Sequence, residues 1–343
     1  MLELLRLMLG GRDGRSGPSL DRLLAHLDRE LGTFTAPVDP SPQSKPRTPF
    51  DGSGLSFEQR ALGRTTLSQR ARLVPTMLPL MWGMQRSATM YDREFQPTKA
   101  HADPEFLAEL EAGARERGAS AVRYVEVPQT AIFASKQLPC RYSVVMTVEM
   151  DKDKIETAPS FEAFLEVAKG YRRLATISNW VAKRLRKAGF AGYPGTALGG
   201  LTDYPHLAEL AGLGAIGYHG LLISPESGPR LRINTVYTNI ENLPLARTED
   251  HAWVREFCSR CRRCIRECPV EAIYPEPEPR GDGGMQCIDH DTCREYFDRE
   301  FGCAVCLAVC PFSVKGYAAI QSRFKGNPDA PRFEIPVRLP IVH

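Results

Sequence analysis

The 343-residue chain has no run of about 18 consecutive apolar residues, the least that a membrane-spanning helix needs. Its most apolar early stretch, Leu73 to Met84, is short and interrupted by two prolines. The first twenty residues hold no apolar core of secretory-signal length, and no Arg-Arg pair precedes one. The expectation is a cytoplasmic protein with no membrane span. Charge of one sign is also missing: 44 Lys and Arg against 41 Asp and Glu leave +3, which gives no nucleic-acid footprint. Cysteine is nearly absent from the first three quarters, where only Cys140 occurs. The other nine of ten fall between Cys258 and Cys310. A disulfide scaffold spreads its cysteines and needs an oxidising compartment, whereas a metal site concentrates them. At 43% hydrophobic and 25% charged, the chain has the make-up of a globular protein of one large domain or two ordinary ones.

What is present divides the chain. Leu20, Leu23, Leu24 and Leu27 have helical spacing, and the Pro/Ser-rich stretch Ala36 to Gly54 reads as an extended or mobile arm. Residues 57–100 are mixed and fit an N-terminal extension wrapping the main domain. From Pro104 the pattern is regular. Phe106, Leu107, Leu110 and Ala114 predict a helix to Arg117; Ala121–Val127 and Tyr142–Met150 predict strands. Ser160 starts a long amphipathic helix with Phe164, Val167, Ala168, Tyr171, Leu174, Ala175, Val181 and Leu185 on one stripe, ended by Gly189. Leu231–Thr238 predicts another strand. Helices alternating with strands point to an α/β sandwich core. The expected division is an extension over 1–102, the α/β domain over 103–250, a cysteine module over 251–320 and a tail over 321–343.

The first cysteine run, Cys258-x2-Cys261-x2-Cys264-x3-Cys268-Pro269, has the spacing of bacterial ferredoxins. Three thiolates on two-residue loops converge on one cubane, and the fourth, past a turn, serves the other cluster. The second run, Cys303-x2-Cys306-x3-Cys310-Pro311, supplies the reciprocal half. One [4Fe–4S] cluster is then held by Cys258, Cys261, Cys264 and Cys310. The other takes Cys268, Cys303 and Cys306 and needs one more ligand, either Cys293 or Cys287. Cys293 is favoured because it opens a short helix with Tyr296 and Phe297 to shield the cluster. Zinc, satisfied by four cysteines in two pairs, does not explain the triple run.

Clusters alone imply electron transfer, and a ferredoxin needs far fewer residues. One other segment stands out, Ala211-Gly-Leu-Gly-Ala-Ile-Gly-Tyr-His-Gly220 continuing through Pro225 and Gly228 to Arg230 and Arg232. Its glycines allow backbone to approach a flat or phosphate-bearing ligand closely, and equally they allow a packed turn. It lacks the G-x-G-x-x-G dinucleotide pattern.

In order along the chain, Met150-Asp151 with Ala158-Pro159-Ser160, the helix end Leu185–Phe190, the glycine segment Ala211–Gly228 and the block Phe257–Pro311 resemble the corrinoid-dependent iron–sulfur reductases. These are the reductive dehalogenases and epoxyqueuosine reductase; the likeness covers about residues 105–315 and is nearer the dehalogenases around Met150-Asp151 and Glu256-Phe257-Cys258. The resemblance implies a nitroreductase-like α/β sandwich, a ferredoxin-like module with two [4Fe–4S] clusters, and cobalamin over the core with no histidine on cobalt. The sequence has no D-x-H-x-x-G run of histidine-ligating corrinoid proteins. Cofactor contacts implied are Gly212, Gly214, Gly217, Tyr218, His219, Gly220, Pro225, Gly228, Arg230 and Arg232.

Dehalogenases pair a tyrosine proton donor with a Lys or Arg, but Lys152 stands where a tyrosine is often found, and Tyr218 replaces a basic residue after the Gly-x-x-Gly. Epoxyqueuosine reductases use an aspartate upstream of the glycines, and Asp203 is the counterpart at a shorter spacing. The candidate proton donors are Tyr218, Asp203 and His219. Asp203 equally suits a cap on a helix starting at Pro205, with His206 on its exposed face. The resulting expectation is a cobalamin-dependent oxidoreductase with a small-molecule substrate and an external donor such as a ferredoxin, flavodoxin or reductase. An electron-transfer protein without corrinoid, and tRNA modification, are the alternatives.

Overall fold

A computed structural model describes residues 27, 29–34, 37–46, 64–92, 94–197, 199–245, 251–327 and 329. Leu20, Leu23, Leu24 and much of the Pro/Ser-rich arm lie outside them. The described part of that arm is docked: Val38 pairs with Leu138, and Ser44 Oγ donates to the Gln129 carbonyl at 2.8 Å.

Residues 64–92, unassigned from sequence, are dominated by helix α1, Leu67–Thr89, opened by a capping box between Thr66 and Gln69. Pro75 and Pro79 sit inside it. A proline there removes an N–H and costs about 3 kcal/mol or more, which is why the pattern does not read as a helix. Tertiary contacts compensate. Pro79 cannot donate to the Pro75 carbonyl, and Arg172 Nη1 does so instead at 3.2 Å.

Helix α2 (Pro104–Glu116), strand β1 (Ala121–Glu126) and strand β2 (Tyr142–Glu149) follow as expected. A one-turn helix α3 (Lys152–Ile155) leads to the long α4 (Phe161–Lys187), capped by Ser160 and followed by Gly189 at φ 92°. Then come β3 (Tyr193–Pro194), α5 (Tyr204–Leu210), the hairpin β4 (Ala215–Ile216) and β5 (Leu222–Ile223), and β6 (Leu231–Thr238).

The main sheet has the order β1-β2-β6-β3, with every pair antiparallel. Both faces are covered, so β2 is buried nearly throughout and reads as a continuous apolar run. Val144, Met146 and Val148 pack under α2 and α4 with Leu110, Leu174 and Val181; Val145 packs on the other face with Ile233, Tyr237 and Leu207 of α5. Helix α1 lies over α4, close enough that a Cβ on Gly83 would stand 3.0 Å from the Ala175 Cβ, and Asn179 Nδ2 donates to the Gly83 carbonyl at 2.9 Å. Helix α1 therefore shares the packing of the core.

The cysteine module comprises α6 (Trp253–Cys261), α7 (Arg263–Arg266), the hairpin β7 (Ile273–Pro279) and β8 (Met285–Ile288), α8 (His290–Arg299), α9 (Val305–Ala308), α10 (Pro311–Val314) and α11 (Tyr317–Phe324). Trp253, Phe257, Phe312, Tyr317 and Phe324 form its aromatic core. Helix α11 runs to Phe324, which belongs to that core. Among the described residues no helix is long and apolar enough to cross a membrane.

Leu174 is fully buried between α4 and the sheet. Leu174→Ala is expected to cost about 2–5 kcal/mol in urea unfolding; a loss under 1 kcal/mol would show that this layer is not the core.

Candidate metal centre

Cys303, Cys306 and Cys310 each follow Cys261, Cys264 and Cys268 by the same 42 residues. The backbone repeats with them. Arg262 (φ 50°, ψ 16°) and Ala304 (φ 69°, ψ 14°) both adopt the left-handed conformation, and each starts a one-turn helix, α7 or α9, that carries the next cysteine. The turn brings the two thiols of each loop to one side. The position 42 residues after Cys258 is Glu300, so the second half lacks its own first ligand.

The sulfurs sort into two groups. Burial pushes up the Cys258 thiol, with Cys310 and Cys261 adding to the effect; Cys264 likewise feels Cys258, Cys306 and Cys310. Burial and then Cys268 and Cys303 push Cys293 up to about 12, and Cys306 responds to Cys303, Cys293 and Cys268. Cys287 stands apart from the second group. Its Sγ donates to the Gly217 carbonyl at 3.7 Å, and burial raises it to about 11. Among the described residues no three His, Cys, Asp or Glu side chains converge on a single-ion site. A cubane holds its thiolates farther apart than one tetrahedral ion does.

The glycine segment forms the seam between core and module. Its glycines are required by protein contacts. A Cβ on Gly214 (φ 153°) would stand 2.1 Å from the Ile223 carbonyl oxygen, and one on Gly228 (φ 58°) 2.6 Å from that of Phe312. Gly217 packs on Ile223, Gly220 on Cys287, and Gly212 (φ 72°) follows α5. Pro225 is exposed in the turn closed by Ser224 and Gly228.

The three proton-donor candidates are not brought together around one opening. Tyr218 is buried in the module core; its backbone N–H donates to the Cys258 sulfur and its hydroxyl donates to Glu276 Oε2 at 3.1 Å. Burial and that carboxylate push its phenol up to about 12. His219 is buried, and its Nδ1 accepts from the Leu221 N–H at 3.2 Å, which puts the proton of the neutral ring on Nε2. Burial lowers it to about 4. Asp203 caps α5, accepting from the His206 N–H at 3.5 Å, and pairs with Lys45 at 2.8 Å and Arg280 at 3.1 Å. Burial alone would raise its carboxyl, but Lys45, Arg280 and His206 outweigh it and hold it below the usual range. His206 is 5% exposed, not on an open face as expected, with Asp282 and Arg280 of the module near it.

Arg230 donates to Glu149 Oε1 and to the Met150 carbonyl, both at 2.9 Å. Arg232 lies with its guanidinium 5.2 Å from the centre of the Tyr171 ring. The periodicity of α4 marks Tyr171 only as a residue of its apolar stripe. The available signal was Gly170, a mid-helix glycine with a packing reason: its Cβ would stand 3.2 Å from Arg232 Cγ. Among the described residues, buried polar atoms without partners include His219 Nε2 and Ser227 Oγ of the glycine segment, Arg230 Nε and Arg232 Nε of β6, and Ser313 Oγ of the module.

This arrangement matches known proteins. Residues 257–314 match the 4Fe-4S dicluster domain. The chain is 33% identical over 209 residues to the tetrachloroethene reductive dehalogenase of Sulfurospirillum multivorans, covering 58% of this chain and 41% of that protein. It is 34% identical over 184 residues to that of Dehalobacter restrictus (50% and 32% of the two chains). It is 29% identical over 177 residues to the epoxyqueuosine reductase of Lactococcus garvieae (48% and 43%). The catabolic reductive dehalogenase NpRdhA has the same fold at a TM-score of 0.62 and 20% identity, over 94% of this chain and 51% of that one. The chain is thus a relative of the reductive dehalogenases and epoxyqueuosine reductases. It spans less than half the length of the curated relatives named here.

Removing the Asp203 charge takes away the carboxylate that Lys45 and Arg280 share, although Arg280 keeps Asp282. Asp203→Asn is expected to cost about 3–5 kcal/mol at pH 7. A depressed carboxyl stabilises above its unfolded pKa and loses that contribution as pH falls through its folded value, so the gap to wild type should close below about pH 4. A gap independent of pH in chemical unfolding would contradict the ion-pair account.

Proposed function

We propose that the chain is a cobalamin-dependent iron–sulfur oxidoreductase of the reductive-dehalogenase type. Two [4Fe–4S] clusters carry electrons from an external donor toward a corrinoid at the seam, where a small organic substrate is reduced. The observation that carries the reading is the grouping of the sulfurs. Cys268 leaves its own run to face Cys293, Cys303 and Cys306, while Cys310 faces Cys258 and Cys261. On this reading Cys293 is the eighth ligand and Cys287 is a packing thiol of the hairpin.

The chain's residues fit a corrinoid at the polar seam. The unpartnered His219 Nε2, Ser227 Oγ, Arg230 Nε and Arg232 Nε suit a rim of amide groups, which both donate and accept. When bound, the corrinoid supplies the low-valent cobalt that the protein's own side chains lack. On this reading Tyr171, with the Arg232 guanidinium over its ring, is the proton donor. This pair takes the place that Tyr218, tied to Glu276, was expected to fill. A second reading, an electron-transfer protein without corrinoid, is favoured by one observation: protein atoms, backbone at Gly214 and Gly228 and side chains at Gly217 and Gly220, occupy the space beside the glycines.

Anaerobic reconstitution separates these ideas. Cys293→Ala is expected to lose about half of the bound iron, and Cys287→Ala to retain it; the reverse result would move the eighth ligand to Cys287. Cobalamin titrated into the reconstituted wild type should bind about stoichiometrically by UV–visible spectroscopy. No binding would sink the corrinoid reading and leave the electron-transfer one.

A further inference from the structure

The two cysteine loops share a backbone and differ in their charges. At positions related by the 42-residue offset, the first loop has Arg262, Arg263 and Arg266 where the second has Ala304, Val305 and Ala308. Arg262 is answered by Glu276. Arg266 reaches over its loop, its Nη1 donating to the Cys261 carbonyl at 2.9 Å. Arg263 is exposed beside Cys264, and its charge acts on both Cys261 and Cys310. The second group faces carboxylates instead: Asp289 acts on Cys293, and Glu300, itself paired with Arg64 at 2.8 Å, acts on Cys303.

Hydrogen bonds point the same way. The backbone N–H groups of Tyr218, Arg263, Phe312 and Ser313 donate to the sulfurs of Cys258, Cys261 and Cys310. In the second group, Val305 donates to Cys303. Reducing a cluster adds one negative charge to it. Cations and N–H donors at the sulfurs favour that change, and carboxylates oppose it.

We infer that the cluster held by Cys258, Cys261, Cys264 and Cys310 has the higher reduction potential of the two, and that Arg263 and Arg266 set it. An electron entering the module settles there first. The two arginines act through the cluster and are not catalytic residues. The inference rests on the two-cluster reading above.

The test is a potentiometric titration of the anaerobically reconstituted full chain, followed by EPR, after iron and sulfide analysis has counted the clusters. Fewer than two clusters would sink the two-cluster reading and this inference with it. With two clusters present, the double variant Arg263→Gln, Arg266→Gln should shift the higher-potential wave downward by about tenfold in its reduction equilibrium, about 59 mV for one electron. The lower wave should stay in place, and the charge-keeping pair Arg263→Lys, Arg266→Lys should restore the higher one. Cys293→Ala protein should keep the higher wave. A higher wave that the glutamines leave unmoved, or that disappears with Cys293, overturns the inference while leaving two clusters standing.

Discussion

Burial raises the pKa of the clustered cysteine sulfurs and their neighbours raise it further, and this cost of forming thiolates constrains the C-terminal part of the protein. Cys258 and Cys310 are buried and Cys264 and Cys306 half-buried, each with other thiols close enough to raise it further. Without metal such a group stays protonated and gains little from being together. Iron reverses the balance, because thiolate binding supplies the free energy that gathers the ligands. The short helices α7, α9 and α10 are too brief to hold themselves, so their geometry depends on this centre and on the aromatic cluster around Trp253 and Phe312.

The module is fixed to the core at several points that share no single chemistry. Gly228 lets backbone meet the Phe312 backbone, Phe161 of α4 meets Phe301 edge-on, and Lys152 Nζ donates to the Val314 carbonyl at 3.0 Å. The buried ions join three distant stretches, with Lys45 of the arm and Arg280 of the module both on Asp203. Such contacts fix the position of the cysteine module against the sheet and helices of the core.

Much of this was legible in the sequence where one physical signal dominated. The strand Leu231–Thr238 and the long helix after Ser160 follow from periodicity and a capping serine, and the two-cluster spacing from the cysteine runs. Helix α1 was hidden because Pro75 and Pro79 contradict local propensity and a partner 97 residues away, Arg172, repairs the loss. The glycine segment was half legible: its glycines mark close approach, but the atoms they approach belong to Ile223 in the paired strand of the hairpin and to Phe312 across the seam. His206 and the Tyr171–Arg232 pair were missed for the same reason, since burial and ring contacts are set by tertiary packing.

The most direct test of the central claim is an anomalous difference map at the iron edge from crystals of anaerobically reconstituted protein. The account predicts two four-iron sites, one within the reach of Cys258, Cys261, Cys264 and Cys310, the other of Cys268, Cys293, Cys303 and Cys306. A single iron site, or Cys268 and Cys310 each bound within its own run, would contradict it.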